Sequence, residues 1–397
     1  MFSSKLKAVA ATAFISALSF NTLASEGEWS GNIGLESQLF FDGPAYEGQK
    51  RHSGNIQSNI EYYRDFLDGN ARLVFESALR LDAQDSEKNL VDIQELYWWH
   101  SFENFEMTAG FRKVFWGVTE TVHLVDIVNQ SDRLANIDGE DKLGQPMLSA
   151  LTEQDWGTIE AFALFGFREQ QFAGIKSRLR SGLLVDENDI SYQSSAKEKR
   201  VDFALRYSHV IGDWDIGLSY FSGTDRNPLL SLASNDSNTL KQHYQFIDQV
   251  GVDLQATYDA WLWKFEGVTG KVKNGDAYSA LVGGFEHTLY GIYDSAADLG
   301  LILEYQFDDR AQSINNNDIA VAMRLALNDT QSTELLAAMS IDLDNQSQFV
   351  SIEASHRLSD HWVVEAETRW FANIDKDDLL YSMQQDDYLS IRLIRHF

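Results

Sequence analysis

The chain has no cysteine, 3 proline residues in 397, and only 32 basic side chains against 60 acidic ones. Without cysteine there is no disulfide framework, no thiolate-held zinc or iron–sulfur cluster, and no thiol nucleophile. A formal charge of −28 leaves no basic footprint for nucleic acid. Long hydrophobic runs are missing as well. After residue 24 no uncharged stretch exceeds the ten residues from Leu143 to Thr152, well short of the ~20 that a spanning helix needs. Aromatic side chains are what the chain has in quantity: 24 Phe, 15 Tyr and 10 Trp.

The N-terminus carries an address. Lys5 and Lys7 precede an uncharged stretch from Ala8 to Leu23, and Thr22-Leu23-Ala24 is a small-x-small site. That layout is a secretory signal peptide over 1–24. Export without a helical span leaves a closed barrel as the one way to cross a membrane.

The remaining pattern has period two. Residues 299–308 set Leu299, Leu301, Leu303, Tyr305 and Phe307 against Gly300, Glu304, Gln306 and Asp308. Residues 71–82 and 361–372 alternate in the same way, which is the signature of strands with one apolar face. Counting such segments predicts strands near 28–41, 52–66, 71–83, 90–100, 105–115, 157–167, 174–185, 200–211 and 214–222. The second half adds 247–259, 261–271, 277–289, 298–308, 318–328, 333–343, 347–358, 361–372 and 387–397. The fold expected is therefore all-β: one transmembrane antiparallel β-barrel over 25–397, with 18 strands (16 as the alternative). Connections after even-numbered strands are mostly tight, and every long one follows an odd-numbered strand, as in a barrel with short periplasmic turns and long extracellular loops.

Trp214, Trp261 and Trp362 each follow a tight turn containing Asp, so with Trp370 they are expected in a membrane-interface girdle. The last strand, Tyr388 to Phe397, ends on an aromatic and keeps Leu389, Ile391 and Leu393 in its parity. Here the chain resembles Gram-negative outer-membrane barrel (porin-like) proteins. The resemblance implies that Phe397 is an assembly signal read by the barrel-assembly machinery. Arg395 departs from the usual apolar pattern, at a place where its side chain can snorkel to the rim. A narrower stretch, Gly110-Phe111-Arg112 to Trp116-Gly117 and then Val125 to Asp132, is similar to the Gly-Arg…Trp-Gly…Asn-x-x-Asp segment of an uncharacterised proteobacterial porin-like family. It implies location and barrel and says nothing of substrate.

If the apolar face looks at lipid, the other face lines the interior. Arg or Lys would cost roughly 2–4 kcal/mol facing lipid at the midplane, so the expected channel-lining set is Arg72, Glu76, Arg80, Arg112, Glu160, Lys176, Arg178, Arg180, Arg206, Glu304, Arg324, Glu365, Glu367, Arg369 and Arg392. Lys176, Arg178 and Arg180 would form a basic ladder on one strand and favour anions. Segment 116–156 is too apolar for a solvated loop, with Val122, Leu124, Val125, Ile127, Val128, Leu134, Ile137 and Leu143. It is expected to fold inward as a constriction bearing Trp116, Glu120, Asp126 and Asp132.

No HExxH, GxSxG, Walker A or GxGxxG motif occurs, and nothing in the pattern calls for a metal or cofactor. The function expected is passive diffusion of small hydrophilic solutes across the outer membrane, with lipid and lipopolysaccharide around the wall. Two alternatives stand beside it. One is a barrel component of an export or adhesion assembly. The other is a barrel enzyme, which a hydroxyl within hydrogen-bond reach of a His on the wall would favour.

Overall fold

The computed structural model describes residues 27–233 and 238–397. The expected signal peptide lies outside them. Strands run in chain order as β1 (Glu28–Phe40), β2 (His52–Phe66), β3 (Ala71–Asp82), β4 (Leu90–Ser101), β5 (Glu106–Arg112), β6 (Gln145–Gln154) and β7 (Gly157–Phe165). Next come β8 (Leu184–Tyr192), β9 (Val201–Ile211), β10 (Trp214–Thr224), β11 (Leu229–Leu232), β12 (Thr239–Tyr244), β13 (Phe246–Tyr258) and β14 (Trp261–Val272). The last seven are β15 (Ala277–Leu289), β16 (Asp298–Asp308), β17 (Asn317–Ala326), β18 (Glu334–Asp342), β19 (Gln348–Ser359), β20 (Trp362–Ala372) and β21 (Tyr388–His396).

Eighteen of these form one antiparallel sheet, each pairing with its neighbour in the chain. The sheet closes where β1 pairs with β21, from Asn32↔His396 to Phe40↔Tyr388. The terminal residue extends that seam, since Phe397 and Gly31 exchange both backbone hydrogen bonds (3.0 and 3.1 Å). Closure satisfies the edge amides that an open sheet would leave bare. The other three strands, β8, β11 and β12, make a small sheet from two long connections on one rim.

Alternation decides which side chains face out. On β16, Leu301, Leu303, Tyr305 and Phe307 are exposed outward, whereas Ile302, Glu304, Gln306 and Asp308 are buried inward. Trp214, Trp261 and Trp362 project outward at the tight-turn rim. Trp370 also faces out, but eight residues further along β20, toward the opposite rim. Arg395 sits over the Trp362 ring, 5.9 Å from its centre, so its charge reaches the rim along an aromatic face.

The strand total of 18 conceals two compensating errors in the sequence reading. Residues 174–185 are not a wall strand: the chain from 166 to 183 has no regular structure and crosses the long-loop rim. Lys176, Arg178 and Arg180 therefore form no ladder. Lys176 is exposed, Arg178 pairs with Asp386 and lies 4.5 Å over Phe40, and Arg180 stacks 3.9 Å over Tyr46. The wall strand that the sequence pattern does not mark is β6, which lies within segment 116–156. Its inward face mixes Gln145, Met147 and Ser149, all buried, while its outward face carries the exposed Leu148, so the inward positions are not consistently polar and the period-two signal fades. The long connection shrinks accordingly, from 116–156 to 113–144.

Register gives a direct check. The chain has no native cysteine, and Leu35 opposes Leu393 across the closing seam. Oxidation of Leu35→Cys with Leu393→Cys should give an internal cross-link, seen as faster gel migration under non-reducing conditions. Leu35→Cys with Leu389→Cys should give none, because Leu389 opposes Leu39.

Candidate functional site

The interior is organised by segment 113–144. β5 ends at Arg112, and from there the chain turns off the wall into the barrel. Gly110 makes the departure possible, at a φ of +138°, where a Cβ would come within 2.1 Å of the Leu96 carbonyl oxygen. Gly117 (φ +139°) lets the chain pass Glu266 and His123, each 2.9 Å from where its Cβ would sit. Asn129 clamps the two ends of the loop: its amide donates to the Arg112 and Leu143 carbonyls (2.9 and 2.8 Å), and its oxygen accepts from Val114 N (2.9 Å). Asp132 takes a bidentate ion pair from Arg80 (2.8 and 3.1 Å). The Gly…Trp-Gly…Asn-x-x-Asp residues are thus the fastenings of the inward loop.

One face of the loop is dry. Val114, Trp116, Leu124, Val125, Ile127 and Val128 pack on an inner wall made of Phe162, Leu164, Phe221, Ile247, Val268 and Val282. Wall carboxylates hold its backbone. Glu266, wholly buried, accepts from Val118 N (2.7 Å), Thr119 N (3.0 Å), Val125 N (3.3 Å) and the Thr119 hydroxyl (2.7 Å). Glu304 accepts from Glu120 N (2.8 Å) and Thr121 N (3.0 Å). Each buried carboxylate is thus met by several donors, the condition under which such a group is tolerated in an interior.

The expected lining residues other than the three on 174–185 all face the interior, and nearly all are paired. Arg112 meets Glu160 (2.6 Å), Glu76 meets Lys113 (2.8 Å), and Arg72 meets Asp65 (2.6 Å). Arg206 and Asp253 form a fork under Trp116. Arg369 reaches Asp138 (2.9 Å), Glu353 (3.3 Å) and Glu367 (3.0 Å), while Arg392 joins Glu36 (3.2 Å) and Glu365 (3.4 Å). On the loop, Glu120 pairs with Lys264 (3.2 Å) and with Arg324, and Asp126 with Lys142 (3.0 Å). Sequence reasoning missed Glu266, Asp253, Glu353, Arg133, Asp318 and Asp342. All but the loop residue Arg133 sit at inward parity, so the alternation marked those five as interior without marking them as partners.

Two cavities remain on the side the loop leaves uncovered. One of about 420 Å³ is bordered by Glu36, Arg80, Glu365 and Arg392; the other, about 620 Å³, opens toward the long loops. They adjoin at the loop tip, sharing Arg133, Leu134 and Ile137 with wall residues Leu336 and Glu353. Arg180 borders the larger cavity from the connection rather than from the wall.

Two hydroxyl–imidazole pairs occur outside these cavities: Ser191 Oγ with His243 Nδ1 (2.9 Å) and Thr333 Oγ1 with His356 Nδ1 (2.8 Å). In the second, the Thr333 hydroxyl donates to Asp329 (2.7 Å). The carboxylate therefore engages the hydroxyl instead of orienting the imidazole as a catalytic triad requires.

No family model matches the chain, and no curated protein matches it. Among solved structures it is similar to a mutant of the Rh. blastica porin (11% identity, TM-score 0.44) and to OmpT, an outer membrane protein of Vibrio cholerae (10%, TM-score 0.46). A triple mutant of the Rhodopseudomonas blastica porin gives 12% and 0.43. Each alignment covers 94% of this chain and all of the other. The fold is a closed 18-stranded antiparallel barrel. Its strand count and closure rest on the register above and not on these likenesses.

Two outcomes test the loop's attachment. Glu266→Ala leaves three buried amides without an acceptor, at ~1–3 kcal/mol each. It should free 118–125 for proteolysis while the folded barrel keeps its heat-modifiable gel mobility. His123 lies between Glu140 (3.2 Å) and Glu266 (3.7 Å). Burial alone would lower its pKa, but the two carboxylates raise it from 6.5 to about 10. The folded value exceeds the free one, so this contribution is complete below pH 6.5 and is lost as pH rises through about 10. Loop protection from protease should therefore be greatest below pH 6.5 and decline progressively as pH rises from 6.5 to about 10, and His123→Ala should flatten the decline.

Proposed function

We propose that the protein is a bacterial outer-membrane channel for passive diffusion of small hydrophilic solutes. The observation that carries this reading is the uncovered side of the interior, where two adjoining cavities stay open beside the loop, the smaller bordered mainly by ion-paired side chains and the larger by carboxylates together with apolar side chains such as Leu134, Leu336 and Phe349. A soluble barrel with the same topology has no use for an outward belt of Leu, Val and Phe, nor for tryptophans at the rim. Lipid does. In this reading the wall is in contact with lipid and lipopolysaccharide, Phe397 is the end read by the assembly machinery, and the segment 1–24 directs export. The protein does no covalent chemistry.

The charge preference follows the interior and not the ladder that the sequence suggested. Carboxylates outnumber Lys and Arg around the two cavities, and most of the arginines are neutralised by the pairs above. We therefore propose a cation-leaning filter, with the local field of unmatched carboxylates raising cation concentration at the constriction. An export or adhesion role would want long apolar loops outside; here the apolar residues of 113–144 are spent inside the barrel.

Planar-bilayer recording on the purified protein tests both statements. Stepwise conductance in KCl is expected, with a larger step for Glu266→Ala, whose loop docks less tightly. Absence of conductance in both proteins would overturn the channel. In a KCl gradient the reversal potential should report K⁺ passing more readily than Cl⁻, unchanged by Arg178→Ala. A clear Cl⁻ preference would overturn the filter.

A further inference from the structure

Strands β16, β17 and β18 bring Gln306, Asp318 and Asp342 into one inward-facing row. Gln306 is the register partner of Asp318, and Asp318 is that of Asp342. They are 3%, 4% and 5% exposed, and all three border the larger cavity. Among the described residues, Asp318 accepts only from Asn317 N (3.2 Å) and the Ser340 hydroxyl (3.4 Å). Asp342 holds the following turn, accepting from the amides of Asp344 and Asn345 and from the Asn345 side chain (2.9 Å). Among the described residues, neither carboxylate has a Lys, Arg or His nitrogen within 4.0 Å. Like charges directly opposite on neighbouring strands repel, so the row lacks a positive group.

A second observation points the same way. The amide nitrogen of Gln306 donates to Thr121 Oγ1 (2.6 Å), which leaves Gln306 Oε1 buried with no donor. Two unneutralised carboxylates and an idle carbonyl oxygen are three acceptors awaiting one cation with several N–H donors. A primary ammonium has charge +1 and three donors. A hard divalent ion wants six or more oxygens, and among the described residues no three His, Asp or Glu lie close enough to hold a metal. Part of the remaining border is apolar, from Leu134, Ile137, Leu336 and Phe349, surface that suits hydrocarbon, while Arg133, Arg180, Glu353 and Arg369 border the cavity elsewhere.

We propose that Asp318, Asp342 and Gln306 form a subsite for the ammonium group of a primary amine whose alkyl body lies against Leu336 and Phe349. This deepens the channel reading by naming a solute class, and it rests on solutes reaching the cavity. The ammonium replaces its water partners with the three acceptors, and no bond is made or broken.

The test is titration calorimetry on the full chain in detergent with n-butylammonium, tetramethylammonium and butyrate, alongside block of KCl current in bilayers. Butylammonium should bind and block, and the other two should do neither, since one lacks donors and the other has the wrong sign. Asp318→Asn should weaken butylammonium binding at least tenfold, with heat-modifiable mobility kept. Gln306→Leu, which leaves both carboxylates in place, should weaken it about threefold. Equal binding of butylammonium and butyrate would reveal mere apolar partition and overturn the subsite. So would Ca²⁺ binding that butylammonium cannot displace. Binding without any conductance would sink the channel and keep the subsite; conductance without binding or block would do the reverse.

Discussion

Two buried carboxylates hold the interior in place. Glu266 and Glu304 stand on neighbouring faces of the inner wall and accept the backbone amides of 118–125, a stretch that has no strand partner of its own. A loop drawn into a barrel must satisfy its peptide groups there, because the wall amides are already paired with one another. Glu266 and Glu304 supply those acceptors, and once the backbone is fixed the apolar side chains of 114–128 fall against Phe162, Phe221 and Val268. Each term depends on the other. Without the packed face the carboxylates would face water, and without the carboxylates the amides would be buried unpaired.

Docking the loop on one side divides the interior into unlike halves. From β6 to β15 the inner wall carries the dry core, with Leu164, Phe221 and Val282 almost wholly buried beside enclosed pairs such as Arg206 with Asp253. From β17 round to β3 it keeps its charges: Arg369 with Glu353 and Glu367, Arg392 with Glu36 and Glu365. These pairs do more for shape than for stability, since the partly exposed ones, such as Arg392 with Glu365, are screened by water and a buried pair roughly balances its own desolvation. They hold long side chains against the wall and leave the space beside the loop tip open.

The strands where the sequence reading failed lie where that division is drawn. β6 has Met147 inward and Leu148 outward, because the loop covers its inner face as lipid would its outer one. An inner face that is apolar at Met147 and polar at Ser149 blurs the alternation by which strands are recognised. Residues 174–183 err in the opposite sense. Lys176, Arg178 and Arg180 alternate with Ser177 and Leu179 as a wall strand would, yet Arg178 fastens connections at the rim, through Asp386 and the carbonyls of Asp42 and Gln385. The position of Trp370 was a milder case: its outward parity was legible, and the rim it belongs to required the strand's direction.

What the sequence determined by itself is everything that faces outward. Lipid, or any apolar surround, is uniform along the wall, so each strand meets the same requirement at every second residue, and local pattern suffices for most of the wall strands, the tight turns and the rim tryptophans. What only the tertiary structure decided is everything that faces inward. The surroundings of Met147, Glu266, Arg206 or Asp318 are set by a loop that arrives from far along the chain, so whether an inward residue should be apolar, paired or open depends on distant contacts. The partner of Glu266 is Thr119, 147 residues away, and no period in the sequence records that distance.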